Sequence, residues 1–400
     1  MHVVPYWRLS AYYFSYYAFL GVFSPYFALY LQSLGLSAWD IGLLMSQMQL
    51  MRLCGPYVWG GVADRCGRRL MIVRTTGAVA CVSFLVFFIS QRFEPLLAAM
   101  AVFAFFWSAS MPLVEALTFD HLREQAPRYS RIRLWGSIGF VVAVLVVGAL
   151  LDFLPVTSLP WLCLFTLLVI LGSSARLTEA KPLPHAVSDP SLGDVLALPH
   201  VRALFVGCFA MTAAHGALNI FYTLFLDAHG VSKSVVGALW TLGVLAEIGV
   251  FLVMARVMRR FDLRTILLFS LAAAVLRFVL IGYGVGSLAV LAFAQLLHGL
   301  TFGACHAAAI AAVNRWFTGA TRGRGQALYS GIAFGAGGLV GGLLSGALWD
   351  RIGGELTFAV SSLFALFGYW VVARWVRTDA VGAQQGAGAV QASQHCRRSL

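Results

Sequence analysis

Four ionisable residues, Arg52, Glu115, Glu247 and Arg277, stand well inside long apolar stretches of this 400-residue chain. In a membrane-spanning helix each such charge costs about 2.5–3.5 kcal/mol on insertion scales, so each needs a reason to be there. An arginine can hold a carboxylate through paired hydrogen bonds, and a carboxylate freed from an arginine becomes easier to protonate. Two charges of each sign at similar depth suggest pairing across a bundle interior, and Arg52 and Glu247 lie 195 residues apart, a spacing that recurs below. His298, Thr301 and Cys305 follow at i, i+3 and i+7, one helix face, with His306 about 12 Å further along the axis. Histidine is the side chain whose charge changes most readily near neutral pH. Glu247, His298 and His306 are therefore the candidate proton carriers, and Arg52, Glu115 and Arg277 the candidate binding groups. Gln49, one turn from Arg52, shares its face and joins the binding candidates. A stripe of Tyr12, Tyr16, Phe19, Phe23, Tyr26 and Tyr30 is open to two accounts, apolar packing or a cavity wall that stacks on an aromatic ring; Tyr16 and Asn219 are the site candidates if the second holds.

The elements that must carry these residues are set by composition. The chain is 60% apolar or aromatic and 11% charged, with a mean hydropathy of +0.83, against about 25% charge in a water-soluble protein. Lipid must be its solvent, which excludes a soluble enzyme or a nucleic-acid-binding domain. Twelve stretches are long and apolar enough to span a bilayer: 10–32, 40–60, 70–90, 95–118, 133–153, 158–176, 202–226, 235–256, 264–283, 287–312, 326–347 and 355–376. The fold expected is an all-α integral membrane protein. Its organisation would be a six-helix half over 1–176, a central loop over 177–201, a second six-helix half over 202–377 and a disordered tail over 378–400.

The net charge of +12 is distributed, not gathered. Of 28 Lys and Arg, 23 fall in the two ends and the even-to-odd connections, three (Arg92, Lys233, Arg351) on the other side, and two inside spans. The positive-inside rule then places both termini in the cytoplasm. Internal similarity supports two parallel repeats: GLSAWDIG (35–42) superposes on GVSKSVVG (230–237) at 195, and a G-x-x-x-D pair recurs as Gly148/Asp152 and Gly346/Asp350 at 198. The seven cysteines show no metal-ligand spacing, and most read as small packing residues. Seven glycines between Gly331 and Gly346 are explained by close helix packing.

Between the second and third spans stands GGVADRCGRR (60–69). Gly60 and Gly67 permit tight turns, Asp64 can cap or oppose a helix N-terminus, and Arg65, Arg68 and Arg69 mark the basic face. In a six-plus-six chain this resembles the loop signature of the major facilitator superfamily, used there as a conformational latch between the halves. The resemblance covers residues 1 to about 377; the second-half counterpart, ARVMRRFDLR (255–264), departs from the signature, which implies an asymmetric latch. Glu115 and Arg133, 18 residues apart, resemble a Glu and Arg of the lactose permease group that form a charge pair in the substrate cavity. Arg277, His298 and Glu247 likewise fall where that group has an Arg, a His and a Glu. This chain has Thr301 where the group carries a protonatable Glu. RIRLWGSIGF (131–140), ALWTLGVLAEIG (238–249) and QLLHGLTFGACHAAA (295–309) are more similar to the phenylpropionate permease branch, which takes up aromatic carboxylic acids with protons.

What this implies is a secondary transporter of the bacterial inner membrane, not an enzyme, that carries an aromatic carboxylate such as 3-phenylpropionate by proton symport. It is expected to act as a monomer in the lipid bilayer without cofactor, metal or nucleic acid. In this scheme Arg52, Arg133 or Arg277 binds the anion, Glu115 and Glu247 hold those arginines when no substrate is bound, and Glu247, His298 or His306 carries the proton. The alternative is a proton symporter for a neutral sugar or nucleoside. An intramembrane enzyme or sensor would need a nucleophile, a metal cluster or an appended domain, and the sequence offers none of them. The fifth span lacks the proline of drug exporters of the superfamily, which disfavours efflux.

Overall fold

The computed structural model describes residues 4–180, 192–318 and 321–376; the tail proposed over 378–400 lies outside them. The described residues form helices joined by short turns, without a strand. In chain order these are α1 (Tyr6–Ser33), α2 (Ala38–Cys66), α3 (Arg69–Ile89), α4 (Phe93–Leu122), α5 (Tyr129–Leu151) and α6 (Val156–Ala175). After a short helix, Leu192–Ala197, follow α7 (Pro199–Ala228), α8 (Lys233–Arg260), α9 (Leu263–Tyr283) and α10 (Leu288–Trp316). The stretch Thr321–Trp375 is two helices that meet at Gly353, whose φ of 82° and ψ of 168° break the helix; we call them α11 (321–352) and α12 (354–375). Every stretch except α2 passes as a membrane span on length and hydropathy. In α2 the charges at Asp40, Arg52, Asp64 and Arg65 lower the hydropathy. With α2 counted, the chain crosses twelve times, as its sequence predicts.

Local chemistry fixes the turns. Ser37 caps α2 in a reciprocal box with Asp40, Ser232 caps α8 and Asp262 caps α9. Gly35 and Gly230, with φ of 78° and 77°, make equivalent left-handed turns ahead of α2 and α8. Several helices are interrupted inside the membrane: α4 at Ser108 and Ala109, and α7 at His215. Gly299–Ala304 in α10 and Ser330–Gly337 in α11 are π-helical, wider than an α-helix, a feature common at functional sites.

The aromatic stripe of α1 is packing. Tyr12, Phe19 and Tyr26 are wholly buried, and Tyr16 stacks on Trp107 with centroids 4.5 Å apart and planes 10° apart. Tyr16 is therefore part of the first half's core and not a cavity wall. Four of the six described cysteines, Cys81, Cys163, Cys208 and Cys305, are buried, while Cys54 and Cys66 are exposed.

The halves meet along α2 with α11 and α5 with α8. Gly346, Gly342, Gly338 and Gly335 of α11 face Gly42, Ser46, Gln49 and Leu53 of α2 in turn, close enough that a Cβ on any of the four would stand 3.2 Å or less from its neighbour. Beyond Leu53 this contact ends: Cys54, Tyr57 and Val58 are exposed, and nothing lies within 4 Å of a Cβ built on Gly60 or Gly61. The two halves thus close on the arginine-poor face and part towards the arginine-rich one.

Candidate functional site

Glycines bring α8 onto α10. A Cβ on Gly299 would meet the Ala246 carbonyl at 2.6 Å, and one on Gly303 would meet Glu247 Cγ at 3.3 Å. This seats Glu247 beside His298, with Oε2 3.8 Å from Nε2. The π-helical turn then aligns His298, Phe302 and His306 as a ladder of near-parallel rings, 5.4 and 6.0 Å apart. His306 Nδ1 meets Tyr329 Oη at 2.8 Å, and Phe334 of α11 packs 5.8 Å from Phe302. The expected face of His298, Thr301 and Cys305 is not formed, because the π turn carries Thr301 inward, away from the ladder.

Thr301 instead belongs to a buried cluster around Arg277, whose side chain is fully enclosed. Arg277 donates to the Ala294 carbonyl (2.9 Å), Gln295 Oε1 (3.0 Å) and Thr301 Oγ1 (3.2 Å), and its Nη1 lies 3.1 Å from His215 Nε2. His215 is placed for this by the break in α7, with Nδ1 2.7 Å from the Met211 carbonyl. No carboxylate takes part, so the expected pairing of Arg277 with a buried acid is corrected: carbonyl, amide, hydroxyl and imidazole groups solvate the charge instead. Full burial also removes Arg277 from direct substrate contact in this state. Arg277→Met should strand four polar partners and cost roughly 2–4 kcal/mol. Thermal unfolding in detergent checks this; an unchanged midpoint would show the cluster to be dispensable.

Arg133 lies one turn inside α5 and not in the preceding loop, because α5 begins at Tyr129. Its guanidinium sits 4.0 Å over the Tyr17 ring. Gly136 leaves the space: a Cβ there would stand 2.6 Å from Tyr17 Cδ2 and 2.9 Å from Arg133 Nη1. The charge pair expected between Glu115 and Arg133 is absent; Glu115 accepts a 2.8 Å hydrogen bond from Tyr129 Oη. Neither carboxylate holds an arginine in this state, so that part of the expected scheme is also corrected. Arg133 nevertheless acts electrostatically on Glu115 in its own half and on Glu247 and His306 in the other.

Arg52 is exposed on α2, its guanidinium 5.9 Å from the Phe334 ring, and Gln49 packs against Gly338. Asn219 is half-buried on α7. Arg52, Arg133, Glu247, His298, His306 and Phe334 thus converge between the halves, whereas Tyr16 and Arg277 face their own half's interior. Tyr17, Tyr129, Phe302 and Phe334 were not singled out from sequence. The neighbour rule could have found Tyr129, four residues before Arg133; nothing local marks the others.

The residues expected to form a latch make no hydrogen bond or ion pair with the second half among the described residues. Asp64, Arg65 and Arg68 are exposed and make no hydrogen bond or ion pair among the described residues. Gly60 lies within α2, so it makes no turn, and Asp64, in the last turns of that helix, caps nothing; Gly67 does adopt a left-handed cap at φ 63°. Arg69 pairs with Asp120 inside the first half, and its amide donates to Glu179 Oε1 at 2.8 Å. Pro56, Trp59, Gly60, Ala63, Asp64 and Arg69 border a cavity of about 140 Å³ between α2 and α4.

Comparison with known proteins adds to this geometry. Residues 6–360 match the MFS_1 like family. A protein of Escherichia coli K12 named as a probable 3-phenylpropionic acid transporter is 30% identical over 364 residues, which cover 88% of this chain and 93% of that one. The maltose permease of Geobacillus stearothermophilus is 26% identical over 66% of this chain and 67% of its own length. Among solved structures, a point mutant of the nucleoside transporter NupG superposes with a TM-score of 0.84 over 93% of this chain and 100% of that one, at 15% identity.

Proposed function

The chain belongs to the MFS_1 like family and is a multi-pass membrane transporter, and from that premise we propose that it takes up a small aromatic carboxylate together with protons. The observation that carries this reading is Arg133: a cation at the junction of both halves, stacked on an aromatic face and unpaired with any acid among the described residues. A carboxylate can dock on it, with Arg52 across the cavity as a second cation. The ring of the same substrate would lie against Phe302 and Phe334, where offset or edge contacts are worth about 0.5–1.5 kcal/mol each. The 3-phenylpropionate relative supports the substrate class. The arginine-rich face, with both termini, is cytoplasmic in this reading, so the state described here opens inward. The protein works as a monomer.

Proton coupling would reside at Glu247 and His298, which face each other without an arginine between them. Substrate bound at Arg133 withdraws positive charge from Glu247, which makes that carboxylate easier to protonate. Loading of anion and proton is thereby linked, and only the doubly loaded or empty carrier need change its opening.

Competition for uptake in whole cells tests the substrate class. 3-Phenylpropionate should compete, its amide should not, and maltose and nucleosides should be without effect. Competition by a sugar or nucleoside and none by the acid would favour the neutral-substrate alternative. Phe334→Ala should weaken competition by 3-phenylpropionate about 3- to 10-fold while leaving that by a ring-free acid nearly unchanged. Equal losses for both acids would remove Phe334 from the ring site.

A further inference from the structure

The repeated G-x-x-x-D pairs of α5 and α11 have no part in the site above, yet both carboxylates reach across to the opposite half. Asp152 accepts from the Lys233 amide at 2.8 Å and the Ser234 amide at 3.2 Å, at the first turn of α8. Asp350 accepts from the Ala38 amide at 3.0 Å, at the first turn of α2. Each acid stands at the C-terminal end of its own helix, where the dipole disfavours an anion, and is compensated by the N-terminus of a helix from the other half. The glycine one turn earlier sets the approach: a Cβ on Gly148 would meet the Lys233 carbonyl at 2.5 Å, and one on Gly346 the Ala38 carbonyl at 2.8 Å. The receiving turns are the repeated GLSA and GVSK segments, with matching left-handed glycines at 35 and 230. Tyr26 adds a bridge, donating to the Val144 carbonyl at 2.9 Å and lying 3.4 Å from the Lys233 carbonyl.

We infer that Asp152 and Asp350 form a pseudo-symmetric clasp that holds the arginine-poor, exoplasmic face shut, and that opening to that side requires both carboxylates to leave the partner half's helix N-termini. Placement supports a gate over ordinary packing. The two contacts sit at the vertex from which the halves diverge, and each of them joins one half to the other. Both acids are exposed, so water can replace the amides when the halves separate and the contact remains reversible. The Ser234 hydroxyl and the two amides hold the Asp152 carboxyl below the usual carboxylate range, so it stays charged at neutral pH.

The test is a distance measurement between spin labels at Gln32→Cys and Ser287→Cys, exposed positions of opposite halves on this face, with Cys54, Cys66 and Cys396 replaced by serine. In the full chain reconstituted in nanodiscs, D152A/D350A should raise the ratio of long to short distances about fivefold or more. Each single variant should give a smaller shift, and D152N/D350N, which keeps an acceptor but loses the charge, an intermediate one. A folded, monodisperse double variant with an unchanged distance distribution would overturn the clasp, as would lower thermal stability with no change in distances. If the double alanine variant does not fold, the single and asparagine variants answer the same question. The readout needs no substrate, so its outcome is separate from that of the competition experiment.

Discussion

Glu247→Gln is expected to abolish accumulation of substrate against a gradient while leaving exchange of substrate across the membrane at about half of wild type or more. Glu247 is partly exposed to the space between the halves, and its carboxylate faces the His298 imidazole, Oε2 3.8 Å from Nε2, with no arginine at ion-pair distance among the described residues. A glutamine keeps the shape and the hydrogen-bonding capacity but cannot take up and release a proton. A carrier so altered can still rock when loaded with substrate, but the proton gradient no longer pulls it in one direction. Uptake and counterflow in proteoliposomes separate the two quantities. Full accumulation by Glu247→Gln would exclude Glu247 as the carrier and turn attention to His298 and His306, whose glutamine variants should be measured alongside. Equal loss of accumulation and exchange would assign Glu247 to substrate binding or packing instead.

Arg133→Gln should raise the substrate concentration for half-maximal exchange about 10- to 100-fold. That range corresponds to the roughly 1.5–3 kcal/mol carried by a hydrogen bond to a charged group. Arg133→Lys should recover only part of the loss, since an ammonium cannot match both carboxylate oxygens or stack as flatly on Tyr17. Tyr17→Leu should weaken binding less than loss of the charge. The same variants measured with the amide of 3-phenylpropionate provide the control, because a neutral ligand gains little from Arg133. If Arg133→Gln left the concentration dependence unchanged, the anion would have to dock on Arg52, and the cavity polarity proposed here would be reversed.

The architecture was readable because lipid imposes length and hydropathy on every span, and because the basic residues alternate between connections. α2 is the exception: the expectation that 40–60 is apolar enough does not hold on hydropathy alone, since its polar and charged residues lower it, and the alternation of basic connections is what supports it as a span. For the candidate site, the sequence indicated which residues come together better than it indicated their connections. Arg52, Arg133, Glu247, His298 and His306 do converge, yet the anticipated pairs do not form. Charge balance suggested that Arg277 needs an acid, whereas a carbonyl, Gln295, Thr301 and His215 suffice once α7 breaks at His215. Residue spacing on α10 presumes an α-helix, and the π turn over Gly299–Ala304 changes which side chains share a face. Tyr16 and Tyr17 differ by about 100° around α1, and only the packing of Trp107 on one and Arg133 on the other decides which of them meets the cavity. Such choices rest on contacts between helices distant in sequence. The G-x-x-x-D repeat was visible from the start, but its meaning depended on where the opposite half places its helix N-termini.

The most direct measurement of the account is uptake of radiolabelled 3-phenylpropionate by proteoliposomes of the purified protein under an imposed inward proton gradient, with and without a protonophore. Accumulation above the external concentration that collapses on addition of the protonophore is the predicted result. Uptake that is unaffected by the protonophore, or no uptake of the acid where a sugar or nucleoside is taken up, would contradict proton-coupled transport of an aromatic carboxylate.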